Sequence, residues 1–293
     1  MELIAASRIV RAQQRVAAAR PYSELLTQAL RNIAAAGDSS ATHPLLENRE
    51  EVRKVAFVVI TADRGLAGGY NAGVIRAAER ALQAEQAKGR DYALILCGKK
   101  AEAYFKFKRY KIDAAYNGFS EAPTYEDARR VAQVVMEQFT EETVDEVQLA
   151  YTQFLSVGSQ RVLVRKFLPL QAEALTEGGG EDEGGLMAGY EFEPAPESIL
   201  ERLLPRYVEA RLFDAMLEAA ASEHAARQRA MKSATDNATE LIKTLERIAN
   251  RARQESITTE IMEIVGGAEA LSQAGHDATR VDIGALSIPP EEN

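Results

Sequence analysis

The last long stretch of the chain, from Glu197 to Leu271, constrains the fold more than any other feature. Apart from Pro205 near its start and Gly266-Gly267 near its end, it contains no proline or glycine, and good helix formers dominate it. Roughly 70 helical residues at ~1.5 Å each would make a rod of about 100 Å, whereas a globular domain is only about 30 Å across. We therefore expect a helix that leaves any domain to which it belongs.

One register runs through this stretch in alternating steps of three and four residues, which is the a/d pattern of a coiled coil. Its members are Ala210, Phe213, Leu217, Ala220, His224, Arg227, Met231, Ala234, Ala238, Leu241, Leu245, Ile248 and Ala252. The many alanines let a partner helix approach closely but bury little apolar area. The simplest prediction for the middle of the stretch is an ordinary antiparallel coiled coil. At the far end, Ile257, Ile261, Ile264 and Val265 form a narrow apolar stripe, which suggests contact with another chain.

A second coiled-coil helix is predicted from Met1 to Ala36. Its register again advances by three and four: Ile9, Ala12, Val16, Ala19, Ser23, Leu26, Leu30 and Ile33. Because a proline inside a helix costs about 3 kcal/mol, Pro21 predicts a kink or a break at Arg20-Pro21. The pattern is already under way at Met1, with no N-cap before it, so we expect that the first turns of this helix are missing.

Short apolar runs alternate with helical patterns between these two ends. Strands are predicted at residues 54–61, 92–97, 112–116, 144–154 and 160–168. Helices are predicted at about 72–87, 99–108 and 125–139. Thr124 and Asp127 resemble a capping box at the start of the last of these helices. This alternation predicts a Rossmann-like α/β domain with a mostly parallel sheet and helices on its faces.

The composition divides the chain into five segments. They are an N-terminal coiled-coil helix and loop (1–50), an α/β domain (51–170), an acidic glycine-rich loop (171–196), a C-terminal coiled-coil helix (197–272) and a flexible tail (273–293). The acidic loop contains the run GGGEDEGG, which cannot bury a core. The predicted fold class is therefore α/β plus coiled coil, in which the two terminal helices form an antiparallel coiled coil around an inserted α/β domain.

A glycine-rich loop between the first predicted strand and its helix is the position where a phosphate would bind. Its spacing, G-x-x-G-G from Gly65, fits neither the dinucleotide-binding nor the phosphate-loop pattern, and no lysine follows the last glycine. We interpret it as a tight strand-to-helix turn that needs positive φ. The sequence shows no Ser/His/Asp set, no H-E-x-x-H and no recognisable pair of carboxylates, so we predict no catalytic, cofactor or metal site.

Composition argues against several other classes of protein. The net charge of −9 argues against a general nucleic-acid binder. A single cysteine, Cys97, cannot form an internal disulfide, and three scattered histidines argue against structural zinc. No apolar run approaches the roughly 20 residues that span a bilayer, and no signal peptide opens the chain. Any membrane link is therefore expected to go through partners.

Four motifs resemble those of the gamma subunit of the F-type, proton-translocating ATP synthase. They are AASR with AQ (5–8 and 12–13), TADRGLAGGYN (61–71), RAMKSATDNA (229–238) and ITTEIMEIVGGAEA (257–270). The last is the most specific. The resemblance extends from Met1 to about Leu271.

This resemblance implies a subunit without catalytic residues or cofactor that acts as the central shaft of a rotary machine. The implied partners are the alpha and beta subunits of the catalytic ring, the epsilon subunit and the ring of c subunits, with one shaft per complex. Proton flow would turn the c ring and the shaft with it, which drives ATP synthesis. The implied location is the cytoplasmic side of the cell membrane, as a peripheral protein, without nucleic acid.

Helical position and resemblance together give a hypothetical set of partner-contact residues: Arg8, Arg11, Arg15, Arg227, Arg229, Lys232, Asn237, Ile257, Glu260, Ile261 and Ile264. The basic members would engage acidic loops of the ring by charge complementarity. Most such charge runs are simply solvated faces, so that interpretation stands beside this one. The chain departs from the family in its missing first turns, its acidic loop and its tail. Chloroplast members carry a regulatory cysteine pair, so Cys97 alone predicts no thiol control of that kind.

Two other classes stay open. One is an α/β nucleotide-binding enzyme with a coiled-coil arm, which would use the Gly65 loop for a phosphate. The other is a coiled-coil scaffold or adaptor with an α/β domain and no rotary role. Nucleotide binding by the isolated chain would favour the enzyme, and copurification with ATPase ring subunits would favour the shaft.

Overall fold

The computed structural model describes residues 1–36, 43–170 and 196–278 of the 293. The helices in this part are α1 (Glu2–Ala36), α2 (Tyr70–Ala87), α3 (Lys99–Phe107), α4 (Tyr125–Thr140) and α5 (Pro196–Ala278). The strands are β1 (Lys54–Ile60), β2 (Asp91–Cys97), β3 (Ala114–Tyr116), β4 (Glu146–Phe154) and β5 (Gln160–Leu168), and a short 3-10 turn covers Pro44–Leu46. The chain divides into two compact units, Met1–Ser233 and Ala234–Asn293, and α5 belongs to both.

The strands form one sheet in the order β3-β2-β1-β4-β5. β1 pairs in parallel with both β2 and β4, and β2 pairs in parallel with β3. β5 is antiparallel to β4, because the few residues between them allow a hairpin but not a crossover. The prediction of a mostly parallel sheet is confirmed.

β1 is buried on both faces of the sheet, which explains why its sequence is one continuous apolar run. Val58 and its alternate neighbours pack in a core cluster with α1, α4 and α5. Phe57 and its alternate neighbours pack in a second cluster with α2 and α3. Each such side chain contributes about 1.5–3 kcal/mol by leaving water. The central strand is thus held from both sides.

The helices α1 and α5 pack antiparallel in the first unit. Near the end of α1, Leu30 lies in the same core cluster as Leu204 of α5. Midway along α1, Ser23 lies within hydrogen-bonding reach of the Asp214 carboxyl. Closer to the start of α1, Ala12 shares a groove with α5 residues further along the chain. The predicted antiparallel arrangement of the two terminal helices around the α/β domain is therefore confirmed for this unit.

The predicted break at Pro21 and the predicted end of the last helix were wrong. α1 is continuous through Pro21, so the proline removes one backbone hydrogen bond without ending the helix. α5 extends to Ala278, through Gly266-Gly267 and beyond the predicted end at Leu271. The tail predicted from residue 273 therefore begins as helix. Residues 279–293 and the acidic loop at 171–195 lie outside the described residues.

Local sequence chemistry sets the start of α4. The Thr124 hydroxyl accepts a hydrogen bond from the Asp127 amide, and the Asp127 carboxylate accepts one from the Thr124 amide at 2.9 Å. This is a complete capping box, as the sequence predicted. It fixes where α4 begins and therefore how it packs beneath the sheet.

The second unit consists, where described, of the end of α5. From Ala234 to Gln273 all its side chains are exposed except for the half-exposed Thr244. The coiled-coil register predicted from Ala234 to Ala252 therefore has no covering helix among the described residues. Among all the residues that the structure describes, no helix is long and apolar enough to cross a membrane.

Gly98, between β2 and α3, provides a test of the fold. It has a φ of 101°, and an added Cβ would lie 2.2 Å from the Thr61 carbonyl oxygen. Gly98→Ala is expected to lower the free energy of unfolding by about 2–4 kcal/mol, from backbone strain and overlap together. Urea unfolding of the purified chain measures it.

Gly89 is the matched control for this substitution. Its φ is 80°, but an added Cβ would meet nothing within 4 Å. Gly89→Ala should therefore cost only the strain, about 1 kcal/mol. Equal losses for the two variants would show that the contact with Thr61 is unimportant.

Candidate partner interface

The glycine-rich loop after β1 is held by its own polar residues. The Asp63 carboxylate accepts backbone hydrogen bonds from Lys99 (3.2 Å), Gly118 (2.9 Å) and Ser120 (3.1 Å). These donors belong to two other segments, so one side chain joins three parts of the domain. Within the loop, positive φ occurs at Leu66 and Gly68. The interpretation as a tight turn that needs positive φ is confirmed.

The same loop is bonded to α5. The Tyr70 hydroxyl donates to the Ala219 carbonyl at 3.1 Å, and the Arg227 guanidinium donates to the Gly65 carbonyl at 3.3 Å. Burial raises the pKa of Tyr70 well above its usual value, so its hydroxyl stays protonated and can donate. The loop thus connects the sheet domain to the long helix. Among the described residues, no group of three His, Cys, Asp or Glu could hold a metal ion.

A cluster of charged residues surrounds this contact. Arg227 donates to the Glu223 carboxylate at 2.6 Å, and its Nη1 lies 3.8 Å from Glu121. Arg8 of α1 forms an ion pair with Glu121, and Arg64 of the loop lies 3.6 Å from the same carboxylate. The cluster therefore brings together α1, α5, the glycine loop and the segment before α4.

His224 completes the cluster, and its neighbours determine which ring nitrogen carries the hydrogen. Its Nε2 lies 3.1 Å from the Glu121 carbonyl, which can only accept, so Nε2 carries the hydrogen. Its Nδ1 is then free to accept from Arg227 Nη1 at 3.4 Å. Burial lowers the pKa of His224, which favours this neutral form. Burial likewise raises the pKa of Glu223, against the opposing pull of Arg227.

The predicted partner-contact residues fall into three groups. Arg227 is buried and fully engaged inside the chain, so its surroundings favour an internal role rather than the expected contact with a partner. Arg8 is half-buried on Glu121, and Arg229 donates to the Val157 carbonyl at 2.6 Å. The remaining members are exposed: Arg11, Arg15, Lys232, Asn237, Ile257, Glu260, Ile261 and Ile264.

Two exposed surfaces result. The first is a groove of about 360 Å³, which we call the basic groove; it is lined by Arg8, Arg11, Ala12, Arg15, Glu121, Ala122, Pro123, Leu217, Ala220 and His224. Arg11 and Arg15 have no acidic partner in the part of the chain that the structure describes. The second is the apolar side of the second unit, where Leu245, Ile257 and Ile261 are 54%, 49% and 53% exposed. Both surfaces are suited to contact another chain.

Comparison with known proteins shows the family of this chain. A family model described as ATP synthase matches residues 1–271. The ATP synthase gamma chain of Parafrankia sp. is 49% identical over 276 residues, which is 93% of this chain and 91% of that one. The chain belongs to the ATP synthase gamma-chain family. A second gamma chain, from Kineococcus radiotolerans, is 46% identical over 282 residues, or 95% of this chain and 92% of that one.

Solved structures share the fold of the gamma-chain family at lower identity. A chain of the central stalk and c ring of Tetrahymena thermophila mitochondrial ATP synthase superposes with a TM-score of 0.60 at 21% identity. The match covers 80% of this chain and 97% of that one. A chain of the Euglena gracilis mitochondrial enzyme gives a TM-score of 0.57 at 19% identity, over 98% and 99% of the two chains.

Two members of the charged cluster were missed by reasoning from the sequence. Glu223 precedes Arg227 by one helical turn, and that spacing alone indicates an ion pair on one face of a helix. Glu121 lies in a loop, 113 positions from Arg8, and no local pattern marks it. Only the tertiary fold brings it to the arginines.

The role of Asp63 can be measured directly. Asp63→Ala would leave three backbone donors without their acceptor, and we expect the free energy of unfolding to fall by about 2–3 kcal/mol. Urea unfolding of the purified chain is the measurement. Asp236→Ala, at an exposed position of α5, is the control and should change little. Equal midpoints for the two variants would contradict the role given to Asp63.

Proposed function

We propose that this chain is the central rotor shaft of a proton-translocating F-type ATP synthase. It is a non-catalytic subunit that couples proton flow through a membrane ring to ATP synthesis in a catalytic ring. The observation that carries this is α5: one helix of 83 residues is packed into the sheet domain in the first unit and exposed in the second. A continuous helix resists twisting, because each turn is bonded to the next.

The two exposed surfaces support specific partners. The apolar residues after Ala234 are too many and too regularly spaced to be left to water, which favours alpha and beta subunits around this part of α5. The basic groove favours an acidic loop of the same ring. The sheet domain would meet the epsilon subunit and the c ring, with one shaft per complex. The chain would then be a peripheral protein at the cytoplasmic side of the cell membrane.

The nucleotide-enzyme alternative has little support from the glycine loop. Its Gly65 carbonyl is occupied by Arg227, and its Asn71 side chain accepts from the Ala62 amide at 2.9 Å. The Ala62 amide is therefore not available to a phosphate, which binds through free amide donors. A scaffold without a rotary role shares the helices of the shaft, so only the partners separate the two.

Purification of the complex tests the proposed function. A tagged chain expressed in its own cells should copurify with the catalytic-ring and c-ring subunits, one shaft per ring, in a complex that pumps protons when given ATP. The isolated chain should not bind nucleotide at micromolar concentrations. A complex without ring subunits, or micromolar nucleotide binding, would overturn the proposal.

Charge reversal tests the exposed basic residues that were predicted to contact a partner. Because Arg8 already pairs with Glu121, the cleaner set is Arg11→Glu, Arg15→Glu and Lys232→Glu, whose side chains have no acidic partner in the described part of the chain. The triple variant is expected to lower proton pumping at least about twofold relative to ATP hydrolysis, since the new charges would repel an acidic loop. Quenching of a pH-sensitive dye in membrane vesicles measures pumping.

A matched reversal controls for net charge. Lys99, Lys106 and Arg109 are exposed on and beside α3, which packs on the face of the sheet opposite to α1 and α5. Reversal of these three to glutamate should leave pumping per ATP unchanged. An equal loss of pumping per ATP in both triple variants would show that the effect comes from net charge. No loss in either variant would show that Arg11, Arg15 and Lys232 are not part of the interface.

A further inference from the structure

The contacts of α5 with the sheet domain change in kind along the helix. From Leu200 to Ala219 its buried side chains are mainly apolar and belong to the large core cluster, and the buried Glu209 accepts a hydrogen bond from the Tyr125 hydroxyl of α4 at 2.8 Å. From Ala219 to Arg229, directional bonds join α5 to the domain, and we call this group the polar collar. Its bonds are Tyr70 Oη to Ala219 O (3.1 Å), Ser222 Oγ to Thr152 O (3.2 Å), His224 Nε2 to Glu121 O (3.1 Å), Arg227 Nη2 to Gly65 O (3.3 Å) and Arg229 Nη1 to Val157 O (2.6 Å).

Apolar contacts and hydrogen bonds respond differently when one surface slides over another. Burial of apolar area has no preferred direction. A hydrogen bond weakens steeply as its angle and distance depart from the optimum. The polar collar therefore adds directional resistance to rotation of α5 against the sheet domain.

Glu121 lies at the centre of the collar. Its carboxylate contacts arginines of three different segments: Arg8 of α1, Arg64 of the glycine loop and Arg227 of α5. Its carbonyl accepts from His224. Among the described residues, no other acidic side chain contacts arginines from three segments. With a side chain only 24% exposed, Glu121 makes these contacts in partly desolvated surroundings, where charge-assisted bonds are strong.

We propose that Glu121 is a positioning residue that fixes α1 and α5 in rotation relative to the sheet domain, so that torque on the domain reaches both helices. This inference rests on the proposed function. Without the carboxylate, the three guanidinium groups lose their shared counter-charge and repel one another. The loop and the two helices would then separate slightly, and part of each rotation of the domain would be lost as slippage.

The test uses the complete ATP synthase with Glu121→Gln, which keeps the shape of the side chain but not its charge. We expect unchanged assembly, ATP hydrolysis within about twofold of the wild type, and protons pumped per ATP about threefold lower. Glu121→Asp keeps the charge and should restore at least about half of the loss. Glu102→Gln is the matched control, because Glu102 bonds to Asn117 inside the sheet domain and should pump normally.

A double-mutant cycle separates this role from a general loss of stability. Arg64 is 71% exposed, so Arg64→Gln should not disturb folding. It should lower pumping per ATP when Glu121 is present and have no further effect in Glu121→Gln, because the partner is already gone. Arg8→Gln should behave in the same way. If the complex with Glu121→Gln fails to assemble, the test rests on the two arginine variants. Both of them must then lower the number of protons pumped per ATP.

Two results would overturn the inference. One is pumping per ATP that is the same in Glu121→Gln and in the wild type, or equally reduced in Glu102→Gln. The other is additive effects of Arg64→Gln and Glu121→Gln, or no effect of either arginine variant alone. Failure of the wild-type chain to copurify with ring subunits would instead overturn the proposed function, so the two failures are distinguishable.

Discussion

The buried guanidinium of Arg227 links the glycine loop of the sheet domain to the long helix. A charge removed from water is costly, and the cost is offset here by the Glu223 carboxylate, the Gly65 carbonyl and the neutral ring of His224. Glu223 and His224 belong to α5 itself, and the Gly65 carbonyl is the acceptor in the glycine loop. If Arg227 were absent, Glu223 would remain as a buried carboxylate without its partner, and the loop would keep only the Tyr70–Ala219 bond to α5. The contact between the loop and α5 therefore depends on Arg227 and Tyr70 together.

Features encoded by neighbouring residues could be predicted from the sequence. The apolar run of β1 and the capping box at Thr124 require only nearby side chains, and both are present as expected. The antiparallel pairing of the terminal helices followed from their matching registers. Glu121 could not be predicted in this way, because its ion pairs are with arginines from distant segments of the chain. Arg227 was singled out as part of a basic surface, since a helical register does not tell which positions the domain will cover.

Both long helices pass through residues that disfavour a helix. Local propensity penalises Pro21 in α1 and Gly266-Gly267 in α5. A proline costs about 3 kcal/mol and a glycine about 1 kcal/mol in a helix interior. In α1 the residues on both sides of Pro21 are packed, with Ile9 and Leu26 buried, and this packing outweighs the lost bond. Tertiary packing therefore carries α1 through Pro21.

One helix meets two opposite requirements. In the first unit α5 is bonded to its surroundings by directional contacts, from Ala219 to Arg229, which resist sliding. In the second unit its side chains are exposed, and many of them are apolar or small, from Ala234 to Val265. Apolar contacts of that kind hold a partner without fixing its angle, because burial has no preferred direction. A helix that is fixed where torque enters and free to turn where it is delivered combines the two kinds of contact that a shaft requires.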